Sequence, residues 1–245
     1  MKTHKLLKRM LMIIFVLLLT TSFYISNDKS NTMLPVMIPQ KVKLPEPRLT
    51  SDISVEEALL IRRSVREFKN EAITIQDVSQ ILWAAYGITE ERSSPSFLRG
   101  GLRTAPSAGA LYPLEIYLVA GKVTGLKAGI YKYFSQDHSL ELVSEGDVRK
   151  DLAAAALDQE FLETAPASLM YSAVYSRTTQ KYGNRGRERY VCMDLGHSAQ
   201  NVYLQACALG LGTCAVGAFT DDMVSIVMQL PENEEPLYIM PIGKY

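Results

Sequence analysis

Between residues 191 and 209 one apolar stripe runs at helical spacing: Val191, Leu195, Ala199, Val202, Ala206 and Leu209 recur every three or four residues. That spacing stacks them on a single face of a long helix. Ala199, Ala206 and Ala208 keep the helix thin, which suits close packing either in a core or at a subunit interface. Such a helix has to be covered, and the rest of the chain supplies candidates. Residues 115–120 read as a strand ending at Gly121, 129–134 and 139–143 as a hairpin around Gln136-Asp137, 167–175 as a strand after the break at Pro166, and 237–242 as the last strand.

Helices precede them. Ser54 and Glu57 have the spacing of a capping box, and Ala58, Leu59 and Ile61 carry that helix into a basic cluster. Thr74 and Asp77 mark a second start. Ile75, Val78, Leu82 and Ala85 follow at helical spacing, Gly87 is the stop, and Trp83 reads as core. Residues 147–157 read as helical, 89–104 as an irregular loop, 181–190 as a loop or the start of the long helix, and 213–219 as a buried strand or loop. The fold class expected is mixed α+β: an initial helix pair, a central, mainly antiparallel sheet flanked by helices, and a long central helix.

The N-terminal 1–26 is different in kind. Lys2, Lys5, Lys8 and Arg9 precede an apolar run, and no acid appears before Asp28. This is the pattern of a signal or anchor segment, and its basic flank predicts a membrane-anchored or exported protein with its domain outside the cytoplasmic membrane. Residues 27–50, punctuated by Pro35, Pro39, Pro45 and Pro47, read as a linker, with 44–49 able to pack on the domain surface. The folded domain is expected over 51–245. A formal net charge of +0 with no basic face argues against a nucleic-acid partner. The cysteines Cys192, Cys207 and Cys214 are odd in number and read as small core residues, and the histidines are too scattered for a metal site.

Three stretches carry chemistry. Arg62, Arg63, Ser64 and Arg66 put guanidinium forks and a hydroxyl together at a helix end, either as an anion site or as a solvated basic end. Residues 105–113 place small side chains between Pro106 and Pro113, either to let backbone approach something flat or as a surface turn. Ser107 lies outside any Gly-x-Ser-x-Gly pattern and has no histidine placed to activate it, which argues against a hydrolase. Residues 181–190 form a second basic stretch broken by glycines. Gly210, Gly212 and Ala215 match the dinucleotide pattern only formally, because this stretch closes a helix and opens a strand.

Taken in order, Arg62-Arg63-Ser64-Val65-Arg66-Glu67-Phe68, Ala105-Pro106-Ser107-Ala108-Gly109-Ala110-Leu111-Tyr112-Pro113-Leu114-Glu115, Gly196-His197-Ser198-Ala199-Gln200-Asn201 running into Gly210-Leu211-Gly212-Thr213, and Pro241-Ile242-Gly243 resemble the nitroreductase superfamily. The nearest branch is the SagB-type dehydrogenases, relatives of the azoline oxidases. The resemblance implies a nitroreductase-like FMN-binding domain forming an intertwined homodimer with flavin sites at its interface. It implies hydride transfer through flavin N5 by a ping-pong mechanism on a small-molecule substrate, with NAD(P)H as a candidate electron donor. Carried over by position, Arg62, Arg63, Ser64 and Arg66 would hold the FMN phosphate and ribityl and reach the pyrimidine edge. Pro106, Ser107, Ala108 and Gly109 would lie along the flavin from the partner subunit, with Leu111 near the ring. Ala215, Val216, Gly217 and Ala218 would back the ring and offer an amide to N5, and Lys244 would contact phosphate. Lys181 and Tyr182 would be the catalytic proton-abstracting pair, or else line a substrate loop. The extended N-terminal peptide-recognition region of the biosynthetic azoline oxidases has no match here, which points away from a peptide substrate. A reading of another class is a membrane-anchored flavin- or ligand-binding protein without turnover.

Overall fold

The computed structural model describes residues 41–245. The segment expected over 1–26 and the linker residues 27–40 lie outside the described residues. Among the described residues no helix is long and apolar enough to cross a membrane.

In chain order the elements are strand β1 (Lys41–Lys43), helix α1 (Val55–Ile61), strand β2 (Ile73–Thr74), helix α2 (Ile75–Tyr86), strands β3 (Ile88–Arg92), β4 (Gly100–Arg103), β5 (Leu114–Ala120), β6 (Val123–Thr124), β7 (Gly129–Phe134) and β8 (Ser139–Glu145), helices α3 (Arg149–Ala155) and α4 (Phe161–Thr164), strand β9 (Ala167–Ala173), helix α5 (Ser176–Tyr182), a π-helical turn (Gly186–Tyr190), helix α6 (Val191–Ala208), strand β10 (Gly212–Thr213), helix α7 (Asp221–Met228) and strand β11 (Glu235–Gly243). Seven strands form one sheet in the order β1-β8-β7-β5-β9-β11-β10. Every neighbouring pair in it is antiparallel.

Strand alternation builds two cores, one on each face of the sheet. Ile116, Leu118 and Ala120 of β5 point to the side of α2 and α6. Tyr117 and Val119 point to the side of α3 and α7. The inner strand β9 is buried at every position, as a strand covered on both faces must be. The stripe on α6 lies inside the first core: Val191, Leu195, Ala199, Val202 and Ala206 are all buried there. Burial of each such valine or leucine contributes about 1.5–3 kcal/mol. The stripe is therefore spent within the protomer, and the other faces of α6 remain for anything outside it.

Several expectations need correction. Lys41–Lys43 pairs with β8 and Leu44 is buried, so the C-terminal part of the expected 27–50 linker belongs to the folded unit. The stretch expected as an irregular loop over 89–104 contains the hairpin β3–β4. After Ile88 the residues of β3 are polar and exposed, so no alternation marks that strand. Helices α5 and α7 were not expected; each is short, with Thr178 the buried residue of one and Val224 and Met228 those of the other. Of the three cysteines only Cys214 is buried. Trp83 is half-buried and lines an open groove with Val55 and Leu204.

Candidate functional site

The basic cluster follows α1 because Arg62 leaves helical geometry (φ −50, ψ 124). Arg63 turns back to its own helix, donating to the carbonyls of Leu60 at 3.0 Å and Arg62 at 2.8 Å. It caps the C-terminal carbonyls that a helix leaves unpaired. Arg62 and Arg66 make no ion pair among the described residues. Ser64 forms a single parallel bridge to Thr213, and the Val65 amide donates to the Thr213 carbonyl at 3.0 Å. This contact requires Gly212, since a Cβ there would come within 2.7 Å of Val65.

Tyr203 of α6 ties these pieces together. Its hydroxyl accepts the Ala215 amide at 2.7 Å and lies 3.1 Å from the Ser64 hydroxyl. The Arg62 guanidinium stands 5.3 Å from its ring centroid. The Ala215 amide is thus already taken. Val216 exchanges both backbone bonds with Ile239. The amides left without an acceptor among the described residues are those of Gly217 and Ala218, both exposed. Lys244 pairs with Glu71 at 2.9 Å, so its ammonium is committed there.

The second group forms around the 106–109 loop. Asp194 of α6 is 2% exposed. It accepts the Ser107 hydroxyl at 2.5 Å and the Ala108 amide at 3.1 Å. Burial pushes its carboxyl above the ordinary range, and the bonds from Ser107 and Ala108 oppose that shift. Gly109 has φ +62, and a Cβ there would meet the Tyr182 hydroxyl at 2.7 Å and the Lys181 ammonium at 3.1 Å. The absence of a side chain at 109 therefore leaves room for Lys181 and Tyr182 against the loop. Ala110 and Tyr112 also have positive φ, so the turn is held in a conformation that non-glycine residues resist. Arg99 fixes it from behind, donating to the Leu111 carbonyl at 2.7 Å and to that of Tyr112. Leu111 itself is half-buried.

The expected site residues therefore fall into two groups. Arg62, Ser64 and the 215–218 segment gather at Tyr203; Ser107, Ala108, Gly109, Lys181 and Tyr182 gather at Asp194. The two anchors are nine positions apart on α6. That is about two and a half turns, so their side chains leave the helix in opposite directions, roughly 14 Å apart along its axis. Neither Asp194 nor Tyr203 was singled out from sequence. A carboxylate between Val191 and Leu195, four residues before Ser198 on the buried side, was the available signal.

The first group offers cations, a hydroxyl and free amides, which suit an anion joined to a flat ring. The second offers a side-chain-free surface with an amine and a phenol beside it, which suits proton transfer.

Comparison with known proteins identifies the family. The nitroreductase family pattern matches residues 59–244. The chain is 45% identical over 204 residues to a Methanocaldococcus jannaschii protein named as a nitroreductase, MJ1384, covering 83% of this chain and 96% of that one. It is 30% identical over 149 residues to the microcin B17-processing protein McbC of Escherichia coli, covering 58% of this chain and 54%, about half, of McbC. Among solved structures, a nitroreductase from Ralstonia eutropha JMP134 superposes with a TM-score of 0.71 at 31% identity, covering 83% of this chain and 89% of that one. A chain of the E. coli microcin synthetase McbBCD complex with truncated pro-MccB17 superposes with a TM-score of 0.62 at 25% identity, covering 83% and 78%. By sequence and by fold, the chain belongs to the nitroreductase family.

Proposed function

We propose that this protein is an FMN-dependent oxidoreductase that works as a homodimer, passing hydride through the flavin in two half-reactions of a ping-pong cycle. The observation that carries this reading is the placement of two incomplete groups on opposite sides of α6. A flavin touched by both Tyr203's group and Asp194's group needs one from each of two copies. The apolar side chains of α1 support the same arrangement: Val55, Leu59, Leu60 and Ile61 are 63%, 54%, 74% and 45% exposed. A helix of this size with four exposed large apolar residues is suited to burial against a second protein surface.

The residues fit FMN. Arg62, Arg66 and Ser64 supply charge and a hydroxyl for its phosphate and ribityl, with Arg63 holding the helix end behind them. The amides of Gly217 and Ala218 are the donors left for the ring, in place of Ala215, whose amide Tyr203 takes. Bound FMN would supply N5 as the atom that accepts and returns hydride. The partner's 106–109 loop would lie along the ring, and Lys181 and Tyr182 would move a proton at the substrate.

The resemblance to the azoline oxidases supports an azoline-type ring as one substrate class for Lys181 and Tyr182, and the relative McbC is a microcin B17-processing protein. A nicotinamide donor would stack over the same flavin face in the other half-reaction. The basic and apolar pattern of 1–26 supports an anchored or exported protein with its domain outside the cytoplasmic membrane. Protease digestion of intact cells tests that placement: protection of the domain would overturn it.

The function is tested on the purified full chain. FMN uptake should give a yellow protein that NADH, NADPH or an oxidisable substrate bleaches anaerobically. A quinone, nitroaromatic or other acceptor should then restore the colour. Folded protein that takes up no FMN would contradict the flavin assignment. Bound flavin that no donor reduces would point to binding without turnover.

A further inference from the structure

A cavity of about 230 Å³ lies behind the Leu111–Tyr112 turn, and none of the residues expected to hold flavin lines it. Its wall includes Arg99, Arg103, Lys132, Arg177, Glu115 and Tyr86. Four cations therefore face one carboxylate. Glu115 is already shared, 2.5 Å from Arg177 and 3.3 Å from Lys132. Lys132 has a second partner in the buried Glu234 at 2.7 Å. Arg99 spends donors on the carbonyls of Leu111 and Tyr112.

Arg103 is the unmatched member. Its guanidinium lies close to two mutually perpendicular rings, 4.3 Å from the centroid of Tyr86 and 4.9 Å from that of Tyr112. Among the described residues it makes no ion pair, and its Nε is buried without an acceptor. The Tyr86 hydroxyl is buried without a partner too. Burial draws Arg103 below the usual arginine range, and it draws Arg99 down to about 10 with Arg177 adding like-charge repulsion. Desolvated arginines with unanswered donors and a charge excess are the arrangement an oxyanion stabilises.

We propose that this cavity binds a small oxyanion, a carboxylate or a phosphate, with Arg103 as its principal partner and Arg99 and Tyr86 as supporting donors. About eight waters would fill the same volume, so the ligand is no larger than a small organic acid or a free phosphate.

The test uses the full chain carrying Arg62→Ala, so that the cluster expected to hold FMN phosphate does not confound it. Inorganic phosphate and malonate are titrated calorimetrically at constant ionic strength held with sodium chloride, alongside thermal unfolding. Saturable binding of either probe, weakened about tenfold or more by adding Arg103→Met, supports the site. The methionine keeps an apolar stem on the two rings. Stronger binding of phosphate than malonate identifies a tetrahedral ligand, and the reverse a planar one. Tyr86→Phe, which keeps the ring and removes only its hydroxyl, should weaken binding several-fold and serves if the Arg103 variant does not fold. Absence of saturable binding, or affinity unchanged by these substitutions, overturns the proposal.

Discussion

Asp194 and Tyr203 leave the same helix in opposite directions, each holding one part of the candidate site by a side chain bonded to a backbone amide. In the function proposed, helix α6 is a rigid spacer between the group that would hold the anion and the group that would move a proton. Its apolar stripe packs into the core and fixes the rotation at which both side chains emerge.

Asp194→Ala should free the Ser107 hydroxyl and the Ala108 amide together and cost about 1–3 kcal/mol. Asp194→Asn keeps an acceptor oxygen and should recover part of that loss. Denaturant unfolding of the two variants measures the difference. A structural role alone would leave their flavin affinities equal once both are folded; a role in positioning the loop predicts tighter FMN binding by the asparagine variant.

Tyr203→Phe removes the acceptor of the Ala215 amide and the neighbour of the Ser64 hydroxyl. A loss of about 1–2 kcal/mol in stability is expected. Ser64→Ala and Arg62→Ala should leave unfolding nearly unchanged while FMN affinity falls, since neither supports the core. Fluorescence titration of FMN against the variants checks the order: retention of full affinity by both Ser64→Ala and Arg62→Ala would remove this cluster from the site.

The stretch from Arg62 to Arg66 stands out in the sequence because its side chains are close neighbours, whereas resemblance and not spacing joins it to residues 215–218. Arg62 to Arg66 lie together in the chain, and Gly210 and Gly212 mark a helix end and a close contact that the structure contains. What stayed hidden was either polar or distant. The hairpin β3–β4 and helix α5 bury too little apolar surface to show a period. Tyr203 and Ser64 meet across 139 positions of chain, and Lys132 meets Glu234 across 102. No spacing rule reaches that far. Arg63 shows the converse limit: its place in the cluster and the family resemblance put it with the residues expected to hold phosphate, whereas local geometry turns it onto its own helix.

Lys181→Ala and Tyr182→Phe should keep FMN and lower turnover by about a hundredfold or more when the substrate must lose a proton. Both side chains lie against the loop rather than in the Arg62 group. Equal turnover of wild type and variants on azoline-type substrates, with flavin content matched, would reduce them to loop lining. Gly109→Val should abolish the same activity by occupying the space of the Tyr182 hydroxyl and by opposing the positive φ.

His138 gives the fold a pH dependence. Its Nε2 lies 2.7 Å from Ser79 and its Nδ1 2.8 Å from the Tyr133 hydroxyl. Ser79 donates onward to the Pro45 carbonyl, so the network assigns the proton to Nε2 and leaves Nδ1 as acceptor. Burial draws its pKa below the ordinary value, against the pull of Glu46. The unfolded chain then takes the proton first as pH falls below about 6.5, so the stabilisation present above that value is lost towards acid. Denaturant unfolding at pH 7.5 and 5.5 should show a smaller loss for His138→Gln than for wild type; an equal loss would assign the acid sensitivity to other groups.

If a complete flavin site takes one group from each of two copies, complementation between damaged copies restores it. Arg62→Ala damages the group at Tyr203 and Gly109→Phe damages the group at Asp194. Co-expressed under two different tags and purified as mixed dimers, these chains should regain a single intact site and bind one flavin per dimer, while each variant alone stays empty. Mixed dimers as empty as their parents, each parent folded, would place both groups at the same site within one chain and rule out a site shared between two copies.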